Sequence, residues 1–434
     1  MGDQAVNFER GRIFVEIVYG CCCGIDVHKN KLAVCVLRSG GGAKRPKKES
    51  WECGTTTREL LELSDRLEAL GCESVAMEST GPYWKPPYNI FEDAGMPAII
   101  VNAAHIKNVP GRKTDQTDAE WIADLHLHGL LRASFIPDRE HRDLRDVLMQ
   151  RRKMVEARTA EVNRIQKVFE GANIKLGSFI SNVMGKSGLR LIEEMITAEV
   201  LTEERIQELK DTKEIARNLR AKPEELAEAC RGSLSAAQKQ QVSCCLRHIT
   251  VLEGIIADLE QVINDLLTPH EHDGTKVLQT MPGIDETTAK TIVGIIGTDM
   301  TRFPSPDHLC AWAGVAPGNN ESAGKRKRCR TRKGNKTLKS ALVVAANSAV
   351  KCKGTFFHAK FNALVKRLGR AKAIMAIAHS MLKAIWHMLL TGECFEDLGS
   401  DYYNKQNTEG KIKRMLQKLK ELGWSPESAE AAVN

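Results

Sequence analysis

Four acidic residues far apart in the chain stand where a polymer-cutting metal site would need carboxylates. Asp26 closes the apolar run Gly24-Ile25-Asp26, and Glu78 closes Ser74-Val75-Ala76-Met77-Glu78. Asp115 and Asp118 sit three apart in Arg112-Lys113-Thr114-Asp115-Gln116-Thr117-Asp118-Ala119, at the start of a helical pattern. Mg²⁺ prefers octahedral oxygen coordination, and two such ions can clamp the attacking and leaving oxygens of a phosphodiester. Taken singly, each acid is more simply a solvated surface group, and Asp115 and Asp118 also suit a helix start. An acid at the end of an apolar strand is more telling, because burial there is costly without a cation. The i, i+3 spacing would put Asp115 and Asp118 on one helix face.

The elements that must hold these acids alternate between strand and helix from about residue 14 to 127. Apolar strand candidates cover 14–27, 32–37, 74–78 and 97–102, with helical patterns at 57–70, 84–94 and 119–127. His28-Lys29-Asn30-Lys31 suits an antiparallel hairpin, whereas the helix before Ser74 implies a parallel crossover. A mixed sheet flanked by helices follows, with acids at its strand ends, where open α/β sheets place their sites.

A chain of 434 residues implies two or three domains. Its 42% hydrophobic and 27% charged residues describe a soluble globular protein. No uninterrupted apolar stretch approaches the ~20 residues of a membrane span, and the acids in the first 23 residues make a poor signal peptide. The thirteen cysteines include no C-x-x-C pair, and several lie in apolar runs (Cys21–Cys23, Cys35, Cys244–Cys245). Reduced, buried thiols and a cytoplasmic location are the expectation.

From about Asp138 the pattern is helical. Leu144, Leu148, Val155, Val162, Ile165 and Phe169 form one apolar stripe. Cys245, Ile249, Leu252, Ile256, Leu259, Ile263 and Leu266 form a coiled-coil seam, which packs on the first helix or on another subunit. The region 171–235 reads as polar and helical, without further signal. At Leu278-Gln279-Thr280-Met281-Pro282-Gly283-Ile284-Asp285 the layout resembles a helix-hairpin-helix. Asp285 replaces its usual second glycine, so plain helix packing competes with DNA contact. The expected organisation is 1–137, 138–270, 271–398 and a charged tail, 399–434.

Net charge is +8 and unevenly spread. Between Ser322 and Ser340 there is no acid, while Lys325, Arg326, Lys327, Arg328, Arg330, Arg332, Lys333, Lys336 and Lys339 crowd together. Such a run points to phosphate contact, with a solvated loop as the plain alternative. A sugar-kinase or actin-like ATPase would share the sheet, but Ser39-Gly40-Gly41-Gly42 lacks the helix start of a phosphate loop.

Gly24-Ile25-Asp26-Val27-His28-Lys29, Glu78-Ser79-Thr80-Gly81 and Lys113-Thr114-Asp115-Gln116-Thr117-Asp118-Ala119 resemble the four-acid (DEDD) motifs of the IS110 transposase family of bacterial insertion sequences. The likeness continues through Met281-Pro282-Gly283-Ile284, Trp312-Ala313-Gly314-Val315-Ala316-Pro317 and Ser322-Ala323-Gly324-Lys325, over roughly residues 24–390 in the family's order. It implies a RuvC-like (ribonuclease H-like) mixed-sheet domain, a helical coiled coil and a mainly helical C-terminal transposase domain. It further implies Mg²⁺ (or Mn²⁺) on Asp26, Glu78, Asp115 and Asp118, and Ser322 as nucleophile. The implied partners are donor and target DNA, a structured noncoding guide RNA and further copies of the chain. A serine hydroxyl is a poor nucleophile unless a base or metal activates it, and no histidine neighbours Ser322. Ser79 and Thr80, beside Glu78, suit a supporting role. A RuvC-like nuclease with an idle Ser322, or a non-catalytic nucleic-acid-binding protein, are the alternatives. The segment before Gly24 is longer than the family's usual start.

Overall fold

The structure is a computed structural model. It describes residues 8–9, 12–13, 17–39, 46–103, 106, 117–197, 201–318, 321–322, 325–326, 331, 334–405 and 408–421. Among these, 8–9, 12–13, 321–322, 325–326, 403–405, 408–411 and 420 are described by their backbone alone. The chain divides into two compact units, Met1–Arg139 and Glu140–Asn434.

The first unit is built on a five-stranded sheet. Its strands are β1 (Cys21–Val27), β2 (Leu32–Arg38), β3 (Lys47–Cys53), β4 (Ser74–Glu78) and β5 (Ala98–Val101). The spatial order is β3-β2-β1-β4-β5, with β2 antiparallel to both neighbours and β1, β4 and β5 mutually parallel. This is the ribonuclease H-like order that the resemblance implied. The first strand starts at Cys21 rather than at residue 14. β3 is absent from the sequence expectation for a physical reason: Lys47-Lys48-Glu49-Ser50-Trp51-Glu52-Cys53 is an exposed, charged edge strand with no apolar alternation. Charge on an edge discourages pairing with other chains, and it also hides the strand from a hydrophobicity reading. Trp51 and Cys53 are the exceptions, both half-buried, with the Arg66 guanidinium 3.7 Å over the Trp51 ring.

Alternation divides the sheet into two faces. Cys21, Cys23, Ile25, Val27, Val75 and Met77 pack against α1 (Thr57–Ala69) and α2 (Lys85–Asp93), with Leu60, Leu63, Leu67 and Phe91. The opposite face presents Cys22, Gly24 and Asp26 on β1 and Ser74, Ala76 and Glu78 on β4. It packs against α3 (Asp118–Leu127) through Ala119, Ile122, Ala123 and Leu127. The cysteine run is buried strand, and among the described residues every cysteine is a free thiol.

In the second unit, α4 (Arg139–Gly171) and α9 (Ala236–Leu266) run antiparallel. Arg151 pairs with Glu260, Arg158 with Glu253 and Glu161 with His248, a register in which one number rises as the other falls. The seam read from the sequence therefore closes within one chain. Ile249, Leu252 and Ile263 are buried in it, while Ile256 and Leu259 are half-buried. The intervening 171–235 segment is not featureless. It folds into α5 (Leu176–Phe179), α6 (Lys186–Thr197), α7 (Glu203–Asp211) and α8 (Pro223–Ala229). These close a core of Leu191, Ile192, Ile206, Leu209 and Leu226 over Ile165, Phe169, Val242 and Ile249 at the tip of the hairpin.

The remainder comprises α10 (Pro269–Gln279), α11 (Glu286–Ile296), α12 (Pro306–Ala313), α13 (Lys336–Ala349), α14 (Phe356–Leu368), α15 (Arg370–Thr391), α16 (Gly399–Lys405) and α17 (Thr408–Glu421). α15 has the length and composition of a membrane span, with a mean hydropathy of 1.4. It is the central core helix of this half, burying Ile374, Ile377, Met381, Leu382 and Ile385. The Met281-Pro282-Gly283-Ile284 turn between α10 and α11 is a packing device. A Cβ at Gly283 (φ +88°) would lie 2.4 Å from the Ala345 carbonyl oxygen, and Asp285 caps α11 by accepting from the Thr288 N–H at 2.8 Å. The tail holds an unexpected amphipathic helix, α17, with Ile412, Met415, Leu416 and Leu419 exposed.

Candidate active site

Two of the four acids are brought side by side by strand register alone. Ile25 pairs with Met77 in the parallel β1–β4 ladder, so Asp26 and Glu78, one residue on, stand on neighbouring strands about 4.8 Å apart. Parity puts both on the face that α3 covers. Asp26 is one residue short of the end of β1, and Glu78 is the last residue of β4.

Gly24 decides where the third acid goes. A Cβ there would lie 2.3 Å from the Ala123 amide nitrogen and 2.5 Å from the Ala119 carbonyl oxygen, so the α3 backbone rests directly on β1. Cys22, two residues earlier, donates its thiol to the Ala123 carbonyl at 3.5 Å. The helix therefore runs back along β1 with its N-terminus toward Asp26, and its first residue is Asp118. Thr117 caps that end, its hydroxyl accepting from the Glu120 N–H at 3.3 Å. Asp118 thus starts a helix aimed at the strand-end carboxylates. Asp115, and with it the helix face expected to carry Asp115 and Asp118 together, lies outside the described residues. Among the described residues no group of three His, Cys, Asp or Glu side chains forms a ready cation cage.

Neighbouring groups hold the acids. The His28 imidazole lies 3.0 Å from Asp26 Oδ2 through Nε2. Thr80 donates its hydroxyl to Glu78 Oε1 at 3.4 Å, which fits a supporting role. The Ser79 N–H instead donates to the Val101 carbonyl, fixing β4 to β5. Sequence reasoning passed over His28, although it lies two residues beyond Asp26 within the same motif. Deeper on this face, His126 is buried with Nε2 2.9 Å from Ser74 Oγ, and burial pushes its imidazole down to about 4. Burial likewise raises the Cys22 thiol far above its ordinary value, making it a packing group rather than a nucleophile.

Ser322 lies in the second unit, on a two-stranded hairpin of β6 (Glu321–Ser322) and β7 (Lys325–Arg326), in which Ser322 pairs with Lys325 and Glu321 with Arg326. An isolated bridge, Pro317 to Thr331, closes its base. Gly334 seats that base against α12, since a Cβ there would lie 2.4 Å from the Ala313 carbonyl carbon. Lys339 donates to Thr331 Oγ1 at 2.6 Å, tying α13 to it. Of the expected nucleic-acid contacts, Lys336 is exposed at the start of α13. Lys327, Arg328, Arg330, Arg332 and Lys333 lie outside the described residues.

Two family models match the chain in order. One is described as "Transposase", the DEDD type of IS110, over residues 23–174, and the other as "Transposase IS116/IS110/IS902 family", over 275–361. The transposase for insertion sequence element IS1111A of Coxiella burnetii is 23% identical over 379 residues, covering 86% of this chain and 90% of that protein. The chain belongs to the IS110 transposase family. A putative transposase, y4qE, of Sinorhizobium fredii is 26% identical over 331 residues, covering 74% of this transposase and 70% of that one. The structure of Thermus thermophilus RuvC aligns with 27% of this transposase and 83% of its own length, at 18% identity and a TM-score of 0.19. RuvC in complex with a Holliday junction substrate aligns with 26% and 99%, at 15% identity and a TM-score of 0.20. Family membership makes this a DNA-processing enzyme with its sheet domain first and a helical body after it.

Proposed function

We propose that this transposase cuts and rejoins donor and target DNA through a two-part site, guided by a structured noncoding RNA. One part is the carboxylate set Asp26, Glu78, Asp115 and Asp118; the other is the Ser322 hydroxyl. The observation that carries the reading is the β1–β4 register, which sets two carboxylates side by side under a helix that begins with a third. An all-oxygen donor set of this kind suits Mg²⁺, with Mn²⁺ as a substitute. When bound, the metal would stabilise charge on the phosphate and lower the pKa of a coordinated oxygen.

Within that frame each residue has a task. Asp26, Glu78, Asp115 and Asp118 would hold the metal, with His28 and Thr80 orienting Asp26 and Glu78. The Ser322 oxygen attacks phosphorus, the phosphorus–oxygen bond to one nucleoside breaks, and a proton reaches the departing oxygen. A serine phosphodiester results, which a hydroxyl of another strand reopens by the reverse step. Lys325, opposite Ser322 on the hairpin, and Arg326 beside it supply positive charge for the phosphate, as do Lys327, Arg328, Arg330, Arg332, Lys333 and Lys336.

Asp26→Ala and Ser322→Ala should each abolish recombination in Mg²⁺ while leaving nucleic-acid binding largely intact. A denaturation-resistant protein–DNA adduct should form with Asp26, Glu78 and Ser322 in place and vanish in Ser322→Ala. Cleavage that persists in Ser322→Ala with no adduct at any time means water is the nucleophile and the serine part of the reading is wrong. Sequencing RNA that co-purifies with the protein tests the guide. Assembly into oligomers is part of the same reading, supported by Val251, Ile255 and Val262 on α9, which lie exposed outside the closed hairpin. Aspartate at Ile255 and Val262 should give monomers by light scattering, and an unchanged mass counts against assembly through this face.

A further inference from the structure

The acid-free stretch does not stop at Ser340. From Ala323 to Gly392 the chain contains seventeen Lys and Arg and no Asp or Glu. Nearly half of these cations lie beyond the basic hairpin, on α14, α15 and the links around them. Four gather at one turn: Lys366 and Arg367 in the last turn of α14, Arg370 and Lys372 in the first turn of α15, with Gly369 (φ +75°) between. All four are exposed. The matched family region ends at residue 361, short of all of them.

Their surroundings do not neutralise them. Lys383, also in the stretch, reaches out to Asp307 on α12 at 2.7 Å. Among the described residues, Lys366, Arg367, Arg370 and Lys372 have no such carboxylate. Arg370 is held instead by the Asn347 side-chain oxygen, which accepts from its guanidinium at 3.1 Å, so its charge is positioned but not cancelled. Lys366 and Arg367 could be explained by the negative end of the α14 dipole. Arg370 and Lys372 cannot, because they stand at the positive end of α15, where no acid offsets them. Arg370 also lies over the Phe361 ring at 6.0 Å, which again holds its charge without cancelling it, and like charges left uncancelled at an unfavourable helix end suit a polyanion outside the chain.

We infer that the α14–α15 turn is a second nucleic-acid contact, in which Lys366, Arg367, Arg370 and Lys372 bind the phosphodiester backbone of a strand. It takes backbone rather than bases, since it offers charge without an aromatic platform among the four. This rests on the nucleic-acid reading above, and it assigns the contact to residues outside both the acid set and the Ser322 hairpin.

The test uses the full chain with Lys366, Arg367, Arg370 and Lys372 all changed to Ala. The control removes the same charge from Lys153, Lys167, Lys213 and Arg220, which are exposed on the helical arm. Binding to a random-sequence DNA duplex and to an RNA hairpin of equal length is followed by anisotropy between about 50 and 200 mM salt. Each phosphate contact contributes about 0.9 to the log–log salt slope on DNA. The turn variant should bind at least tenfold more weakly at physiological salt, with a slope shallower by about 2 to 4, while the control keeps the wild-type slope. Loss on DNA alone, on RNA alone or on both supports the contact and names its strand. Wild-type slope and affinity in the turn variant, or equal losses in the control, overturn it. A wild-type protein that binds neither probe overturns the nucleic-acid reading together with the turn. Circular dichroism melting confirms that the turn variant is folded.

Discussion

The helical arm and the C-terminal half of this transposase handle charge in opposite ways. In the arm several cations are answered by acids of the same chain: Arg151 by Glu260, Arg158 by Glu253, Arg190 by Glu193, Glu194 and Glu214, Arg205 by Glu194 and Glu208. Its helices α7 and α8 also carry acids in their first turns, where the dipole favours them. Beyond Ser322 the pattern reverses, and α13, α14 and α15 all begin without an acid. Charges that a chain answers itself serve its own fold. Charges left open at an electrostatic cost are there for something that binds.

The contrast can be broken at its strongest point first. Glu271 on α10 is buried beside His141 at 2.6 Å. Burial by itself raises its carboxyl, but hydrogen bonds from His141 and Thr268 hold it below its ordinary value. His141→Ala should strip a partner from a buried carboxylate and cost about 3 kcal/mol in chemical denaturation, with no change in the salt slope of DNA binding. A shifted slope would mean that this closed pair also serves ligand.

His126 gives an effect of similar size in the first unit, where a titratable group is buried without a charge partner among the described residues. Its folded value of about 4 lies below the ordinary 6.5, so the fold favours the neutral ring. That contribution is whole above pH 6.5 and is lost as pH falls toward 4, amounting to about 3 kcal/mol. Unfolding followed across this window should show a steeper loss in the wild type than in His126→Gln. Parallel curves would remove His126 as the cause.

Glu194→Gln should cost the arm about 1–2 kcal/mol, because Arg190 and Arg205 both lean on that buried carboxylate. Nucleic-acid affinity should not move. Lys336→Glu makes the converse prediction. An acid in the first turn of α13 should leave the melting temperature unchanged or slightly raised, while DNA affinity falls about tenfold, one lost contact plus added repulsion. A destabilised Lys336→Glu would show that the open charges help the fold after all. Last, Arg231→Ala removes an exposed pair with Glu228 and should change neither melting nor binding measurably.

How much was legible beforehand follows from the same physics. The helices at 57–70 and 84–94 were readable because each buries one face and so carries a period, and the strands at 74–78 and 32–37 and the helix at 119–127 because each is buried nearly all round and so reads as an apolar run. β3 and the cap of α5 to α8 were not. β3 buries little more than Trp51 and Cys53, each only in part, and the cap's core is assembled from short helices that each contribute only one to three buried apolar side chains. The seam on α9 was legible as a seam but not as a hairpin, since spacing alone does not say which helix lies opposite. For the acids, residue type and strand-end position singled out Asp26 and Glu78, and a local motif singled out Asp118.

What the sequence determined by itself is which side chains are available: the acids, the serine, and seventy residues with positive charge and no negative. What only the tertiary structure decided is convergence. Asp26 and Glu78 are neighbours because β1 and β4 pair in parallel with Ile25 opposite Met77, and the helix that Asp118 begins runs along β1 because only a glycine at 24 lets the α3 backbone rest on the strand. Neither the register nor that close approach leaves a periodic trace in the chain, because each depends on a partner segment more than fifty residues away.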